Sequence, residues 1–179
     1  MKKTILIFLV IVLMYFSYFY KNNYTSTIEE AANKANIQYD EIYQTSKVKN
    51  RILILYDTDE NEVFSVGLLK KNWLGYKWIM GSGSGQVSGI NVPVSLAIAN
   101  LPVEHHGEVS SFVSIAFGSV NLNEIEKLNV QFKDTKIKSA TIIDTKRGRK
   151  WFSISDNPVN GDPQVIGINK KGKEVYRNY

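Results

Sequence analysis

The sequence predicts a mainly β (α+β) protein. It reads as an N-terminal membrane-anchor helix, a short helix, then an antiparallel β-sandwich or open barrel-like sheet of eight or nine strands. Three observations lead there. Ile5 to Tyr20 is an uncharged apolar run at the start of the chain. From Val48 onward, short apolar runs alternate with polar turns, as antiparallel strands do. No helical pattern of about 10–15 residues separates those runs, which disfavours a parallel α/β sheet.

The apolar run is sixteen residues, about 24 Å as a helix, against a hydrocarbon core of roughly 30 Å. Thr4 at one end and Tyr15, Tyr18 and Tyr20 at the other extend it into the interfaces, where such aromatics concentrate. Nothing between Met14 and Asn23 offers small residues at both −3 and −1, so an uncleaved signal anchor fits better than a cleaved signal peptide. Lys2 and Lys3 precede the run and only Lys21 closely follows it, which favours a cytoplasmic N-terminus. The expected organisation is a signal anchor over residues 1–24 and an extracytoplasmic β-rich domain over 25–179, at the cell membrane. Membrane lipid is therefore the first expected partner.

Ser26-x-x-Glu29 reads as a capping box, followed by a short helical face of Ile28, Ala31, Ala32, Ala35 and Ile37. Tyr39 to Thr45 fits either a helical continuation or a turn into the first strand. Arg51 to Tyr56 and Val63 to Lys70 form a hairpin around Asp57–Asn61, and Trp73 to Met80 is a third strand with Gly75 at a bulge or close approach. Gly81 to Gly85 breaks regularity, and Pro93 turns Val87 to Leu101 into a loop or edge strand. Ser110 to Phe117 is a strong strand, and Ile125 to Phe132 alternates in its second half. Ile137 to Ile143 pairs with Trp151 to Ile154 around Gly148; Val165 to Ile168 pairs with Glu174 to Tyr176 around Gly172. A division into two small β layers near Gly81 to Gly89 is the alternative arrangement.

Zero cysteine excludes disulfides, thiolate metal sites and a cysteine nucleophile. The net charge of +5 shrinks outside the anchor: 19 Lys plus Arg face 17 Asp plus Glu from Asn22 onward. That balance lacks the basic excess of a nucleic-acid binder, so no nucleic acid is expected.

No motif specifies an activity, and no cofactor is called for. Gly81–Gly85 lacks the following helix and Lys-Ser/Thr pair of a phosphate loop. Asp57-x-Asp59-x-Asn61 lacks the glycine and distal glutamate of a calcium loop. His105 and His106, between Glu104 and Glu108, have metal-ligand chemistry but no third histidine. They support the alternative function, a metal-assisted hydrolase completed by a distant carboxylate. Lys70, Lys71, Tyr76, Lys77 and Trp78 interleave cations with aromatics, which suits either core packing with solvated lysines or a platform for a sugar or anionic polymer. Lys146, Arg147, Arg149 and Lys150 form the densest basic cluster, an exposed turn or a contact for anionic lipid or wall polymer.

Several segments together resemble a family. They are Lys49 to Tyr56, Gly67 to Gly83 with its Lys-Lys-x-Trp-x-Gly-Tyr-Lys-Trp core, Phe117 to Val120 before Glu124-Ile125, and Gly167 to Tyr176. The chain resembles uncharacterised small exported or membrane-anchored proteins of Gram-positive bacteria. The resemblance implies an envelope address and no reaction, and it transfers no catalytic residue. The leading expectation is a membrane-tethered extracytoplasmic binding module, with an anionic envelope polymer or another envelope protein as partner.

Overall fold

The structure is a computed structural model describing residues 2–48, 51–58, 63–84, 92–105, 108–133, 135–155, 157–159 and 161–178. The Asp59–Asn61 half of the polar turn, Gly85 to Gly89, and His106 lie outside those residues, as does the side chain of His105.

Helix α1 spans Lys2–Asn23, and within it Thr4–Asn23 is long and apolar enough to cross a membrane. Its 20 residues have a mean hydropathy of 1.9 and none is buried. As a helix they cover about 30 Å, matching a hydrocarbon core. The large apolar side chains from Ile5 to Tyr20 are exposed on every face. A water-soluble helix would hide one stripe of them.

Helix α2 is Ile28–Lys34, one residue later than the expected box. Thr27 is the N-cap and accepts from the Glu30 amide at 3.1 Å, while the Glu30 carboxylate takes the amide and hydroxyl of Ser26 at 3.0 and 2.9 Å. Those bonds from Ser26 hold the Glu30 carboxyl below the usual carboxylate range. The sequence contains two overlapping boxes, Ser26/Glu29 and Thr27/Glu30. The second is the one used, and it buries Ala31 and Ala32.

Twelve strands follow among the described residues, in three antiparallel sheets, with no closed barrel. The first sheet is a meander of β1 (Glu41–Val48), β2 (Arg51–Thr58), β3 (Val63–Asn72) and β4 (Gly75–Ser84). The second is ordered β5 (Ala97–His105), β6 (Glu108–Val120), β10 (Gly148–Ser155), β9 (Thr141–Thr145). The third is ordered β12 (Glu174–Arg177), β11 (Gln164–Ile168), β7 (Lys127–Gln131), β8 (Lys138–Ser139). The mainly β class therefore holds, and the layers change between Ser84 and Ala97. The added strands come from three places. β1 occupies the segment that reads equally as helix or turn, β5 starts after Pro93, and Ala140 divides the expected Ile137–Ile143 strand into β8 and β9. Pro102 sits in β5, an edge strand, the place in a sheet that tolerates proline.

The second sheet is the middle layer. Leu101, Val113, Ile115, Phe117 and Phe152 face Leu53, Leu55, Phe64, Val66 and Leu68 of the first sheet. Phe64 and Phe117 meet edge-on, with centroids 5.9 Å apart. On its other side, Ala116, Val120 and Trp151 face Leu128, Val130 and Val165 of the third sheet. A third cluster, Ile54, Tyr56 and Leu69, lies on the outer face of the first sheet beneath Ala31 of α2.

At one end of the first sheet, the Tyr43 hydroxyl donates to Asp57 Oδ2 at 2.8 Å, and Asp57 is fully buried. Its Oδ1 has no hydrogen-bond partner among the described residues. Tyr43→Phe should therefore cost about 1.5–3 kcal/mol, the range for a bond to a charged group, in denaturant melts at neutral pH. Burial first, then the bond and charge of Asp57, push the Tyr43 hydroxyl well above its ordinary pKa. Its contribution is thus complete below about pH 10 and lost as pH rises, because the unfolded chain releases that proton first. The variant should show a shallower alkaline loss of stability than the parent.

Candidate membrane-interface site

The two groups of candidate residues lie at opposite ends of the first sheet. Lys70 pairs with Arg51 at the start of β2, whereas Arg147 donates to the carbonyl of Thr58 at its end, at 3.1 Å. Seven steps of about 3.3 Å put the two groups roughly 23 Å apart along that strand.

At the far end, the cluster around Arg147 is largely occupied. Lys146 pairs with Glu41 at 3.0 Å and Arg147 with Asp40 at 3.2 Å. Exposed pairs of this kind contribute roughly 0–1 kcal/mol, so they locate the turn more than they stabilise it. Lys150 turns inward: it is 1% exposed, its Nζ donates to Ser119 Oγ at 3.1 Å, and it lies over the Phe64 ring. Arg149 is half-buried.

At the near end, the β3–β4 hairpin puts Lys71 with Tyr76 on one face of its ladder and Lys70 with Lys77 on the other. Tyr76 and Trp78 pack with the outer cluster under α2. The Trp78 indole meets Tyr56 edge-on and covers the paired glycines Gly67 and Gly81. A Cβ at Gly67 would come within 2.3 Å of that ring, so the two glycines make the slot in which it lies. These two aromatics pack under α2, and their half-buried rings also line, with Lys77, the crevice beside that helix. Lys70 and Lys77 are directly cross-strand, and Lys71 Nζ sits 5.1 Å above the Tyr76 ring centroid.

The same hairpin receives α1. Thr25 and Tyr76 exchange both backbone bonds, at 2.9 and 2.8 Å. Gly75 makes this approach feasible. Its φ is +120°, and a Cβ there would fall 2.1 Å from the Thr25 carbonyl. Lys34, ending α2, donates from Nζ to the Lys21 carbonyl at 2.7 Å, satisfying one of the open carbonyls at the end of α1. The Asn23 side-chain amide folds back on the same turn and donates to the Phe19 carbonyl at 3.0 Å. Where these segments meet, Asn22, Asn23, Lys34 and Lys77 border a crevice of about 180 Å³.

Beyond the hairpin turn, Trp73 is 81% exposed and stacks on Phe16 of α1, with centroids 6.2 Å apart and planes at 23°. Leu13, Phe16, Tyr20, Trp73 and Leu74 line an apolar groove of about 430 Å³ between helix and hairpin. Trp73, Thr25 and Lys34 are absent from the sequence-derived site set. The available signal for Trp73 was a tryptophan beside a tight turn, flanked by lysines, in a chain that opens with an apolar helix.

Among the described residues, no group of three His, Asp or Glu could hold a metal ion. The His105–His106 pair lies outside what is described there. Comparisons of the chain with protein-family models, curated proteins and solved structures find no match.

Two substitutions separate packing from docking. Trp78→Ala should destabilise the domain by about 3 kcal/mol, the lower end for a truncated tryptophan since the ring is only half-buried; a neutral result in denaturant melts would contradict its packing role. Gly75→Ala should break the Thr25–Tyr76 pairing and expose residues 21–27 to limited proteolysis, with the β layers still folded. An unchanged cleavage pattern in detergent would count against the docking.

Proposed function

We propose that the protein is a single-pass membrane-tethered interaction module whose β domain lies outside the cytoplasm and works at the membrane surface. The supporting observation is the absence of slack between helix and domain: Thr25 is paired to Tyr76 within two residues of the end of α1. A tether built to reach distant wall polymer would gain from a flexible linker, whose reach grows with its length. A docked domain instead keeps one end against the lipid and one orientation toward its surroundings. The partner that suits this arrangement is another envelope protein or an anionic polymer close to the membrane, with Lys146 and Arg149 on the outward end. The lysine distribution around α1 supports the N-in orientation.

Protease treatment of intact cells, with a size check on the N-terminal fragment, tests this reading. The domain should be digested from outside, leaving a membrane-retained fragment that contains Met1 to Tyr20. Protection in intact cells followed by digestion after lysis would invert the topology. Release of undigested protein by alkaline carbonate would remove the anchor.

A further inference from the structure

We infer that the tip of the β3–β4 hairpin is a second membrane contact: Trp73 enters the headgroup–acyl boundary beside α1, and Lys70, Lys71 and Lys77 face anionic lipid headgroups. This rests on α1 spanning the bilayer, as proposed above.

Depth follows from helix geometry. Phe16 lies five residues before Lys21, about 7.5 Å below it along the helix axis. Trp73 stacks on that ring, so a bilayer that contains α1 up to Lys21 also surrounds Trp73. That depth is within the roughly 5–10 Å that interfacial elements reach, and tryptophan is enriched at that level. An indole 81% exposed in water becomes covered by lipid there. The 430 Å³ groove between hairpin and helix is apolar and open, a shape that acyl chains fill.

The hairpin is also suited to leave water at little cost. Unpaired backbone groups are expensive in hydrocarbon. Here the Leu74 amide donates to Asn72 Oδ1 at 2.9 Å, Asn72 pairs with Gly75, and Tyr76 is bonded through both backbone groups to Thr25. The turn needs only two residues, Trp73 and Leu74, and both are apolar.

Charge points to the same ligand. From Val63 to Ser84 the chain has three lysines and no acidic residue. Lys70 and Lys77 are directly opposite in the ladder, an arrangement that repels unless an anion lies between them. No carboxylate pairs with Lys70, Lys71 or Lys77 among the described residues. Surface lysines each gain about 1 kcal/mol near an anionic leaflet. The tip therefore presents an indole to the acyl boundary with cations behind it, the order in which a bilayer presents its own layers.

The absence of cysteine makes the test direct. Single-cysteine variants Trp73→Cys, Phe8→Cys and Lys146→Cys of the full chain would be labelled with a polarity-sensitive fluorophore. Each would be reconstituted at low protein density into vesicles of phosphatidylcholine with phosphatidylglycerol. Labels at positions 8 and 73 should both report an apolar setting and be quenched by brominated acyl chains, and the label at 146 should report water. A membrane signal at 8 with an aqueous one at 73 overturns this inference while leaving the anchor intact. An aqueous signal at 8 removes the spanning helix as well. Shielding at 73 that lipid quenchers fail to reach, or that grows with protein density, means a protein occupant and overturns it too. Adding Lys70→Glu and Lys77→Glu should reduce quenching at 73 at least threefold in phosphatidylglycerol-containing vesicles. Equal quenching with and without the reversal would overturn the headgroup contact. Native tryptophan quenching by the same lipids should fall in Trp73→Phe, and a constant signal would contradict insertion of the native side chain.

Discussion

A sheet with two buried faces demands a layer on each side, and the second sheet of this protein is such a sheet. β6 is its axis: Val113, Ile115 and Phe117 point into one core, Ala116 and Val120 into the other. The first and third sheets exist, energetically, to cover those faces, since each fully buried large apolar side chain contributes roughly 1.5–3 kcal/mol. Polar groups trapped in the layer then have to be bonded internally. Ser114 and Asn100 bond to each other and both accept from the Val159 amide, while Trp151 Nε1 donates to the Ser95 carbonyl at 3.0 Å. Gly118 lets that segment approach, because a Cβ there would meet the Ser95 carbonyl at 2.1 Å.

The layering also fixes the end from which α1 leaves. The first sheet has its own uncovered outer face, and α2 is the piece that covers it, through Ala31 over Ile54, Tyr56 and Leu69. A helix of seven residues is too short to persist alone in water, so its position is set by that contact. Lys34 at its end then reaches the last turn of α1, and Thr25 joins the edge strand β4. The direction in which α1 leaves the domain is therefore a consequence of core packing. A substitution under α2 would be felt at α1.

Composition and pattern revealed the class and the helix long and apolar enough to cross a membrane, because the run from Ile5 to Tyr20 and the strand-length apolar runs are local signals. The layer count was not legible. SSFVSIAF in β6 reads as one apolar run, but a run of that length cannot be told from a buried helix segment by periodicity alone, and nothing local to it says how many layers cover it. β1 was ambiguous because EIYQTSKV mixes polar and apolar residues as an edge strand does. The basic cluster from Lys146 to Lys150 looked continuous along the chain. The pleat and the neighbours divided it, sending Lys150 into the interior and pairing Lys146 and Arg147 with Glu41 and Asp40. Trp73 had meaning only once its distance to Phe16 was known, and no sequence spacing brings residues 57 positions apart into contact.

A single extra residue separates packing from exposure in the hairpin. The ladder between β3 and β4 shifts at Leu68/Leu69, opposite Met80 and Trp78, leaving Ile79 as the bulged residue. Side chains on a regular strand alternate, so without the bulge Trp78 and Met80 would share a face. One of them would then be misplaced, either an indole driven into the inner core or a methionine turned out. The bulge reverses the phase, so that Met80 packs against the inner cluster while Trp78 covers the glycines beneath α2. The same reversal pairs Lys77 with Lys70 in the ladder. Three and four residues before the bulge lie Tyr76 and Gly75, where the chain pairs with Thr25. The bulge is thus the local device by which one hairpin holds a core on one face and seats a helix on the other.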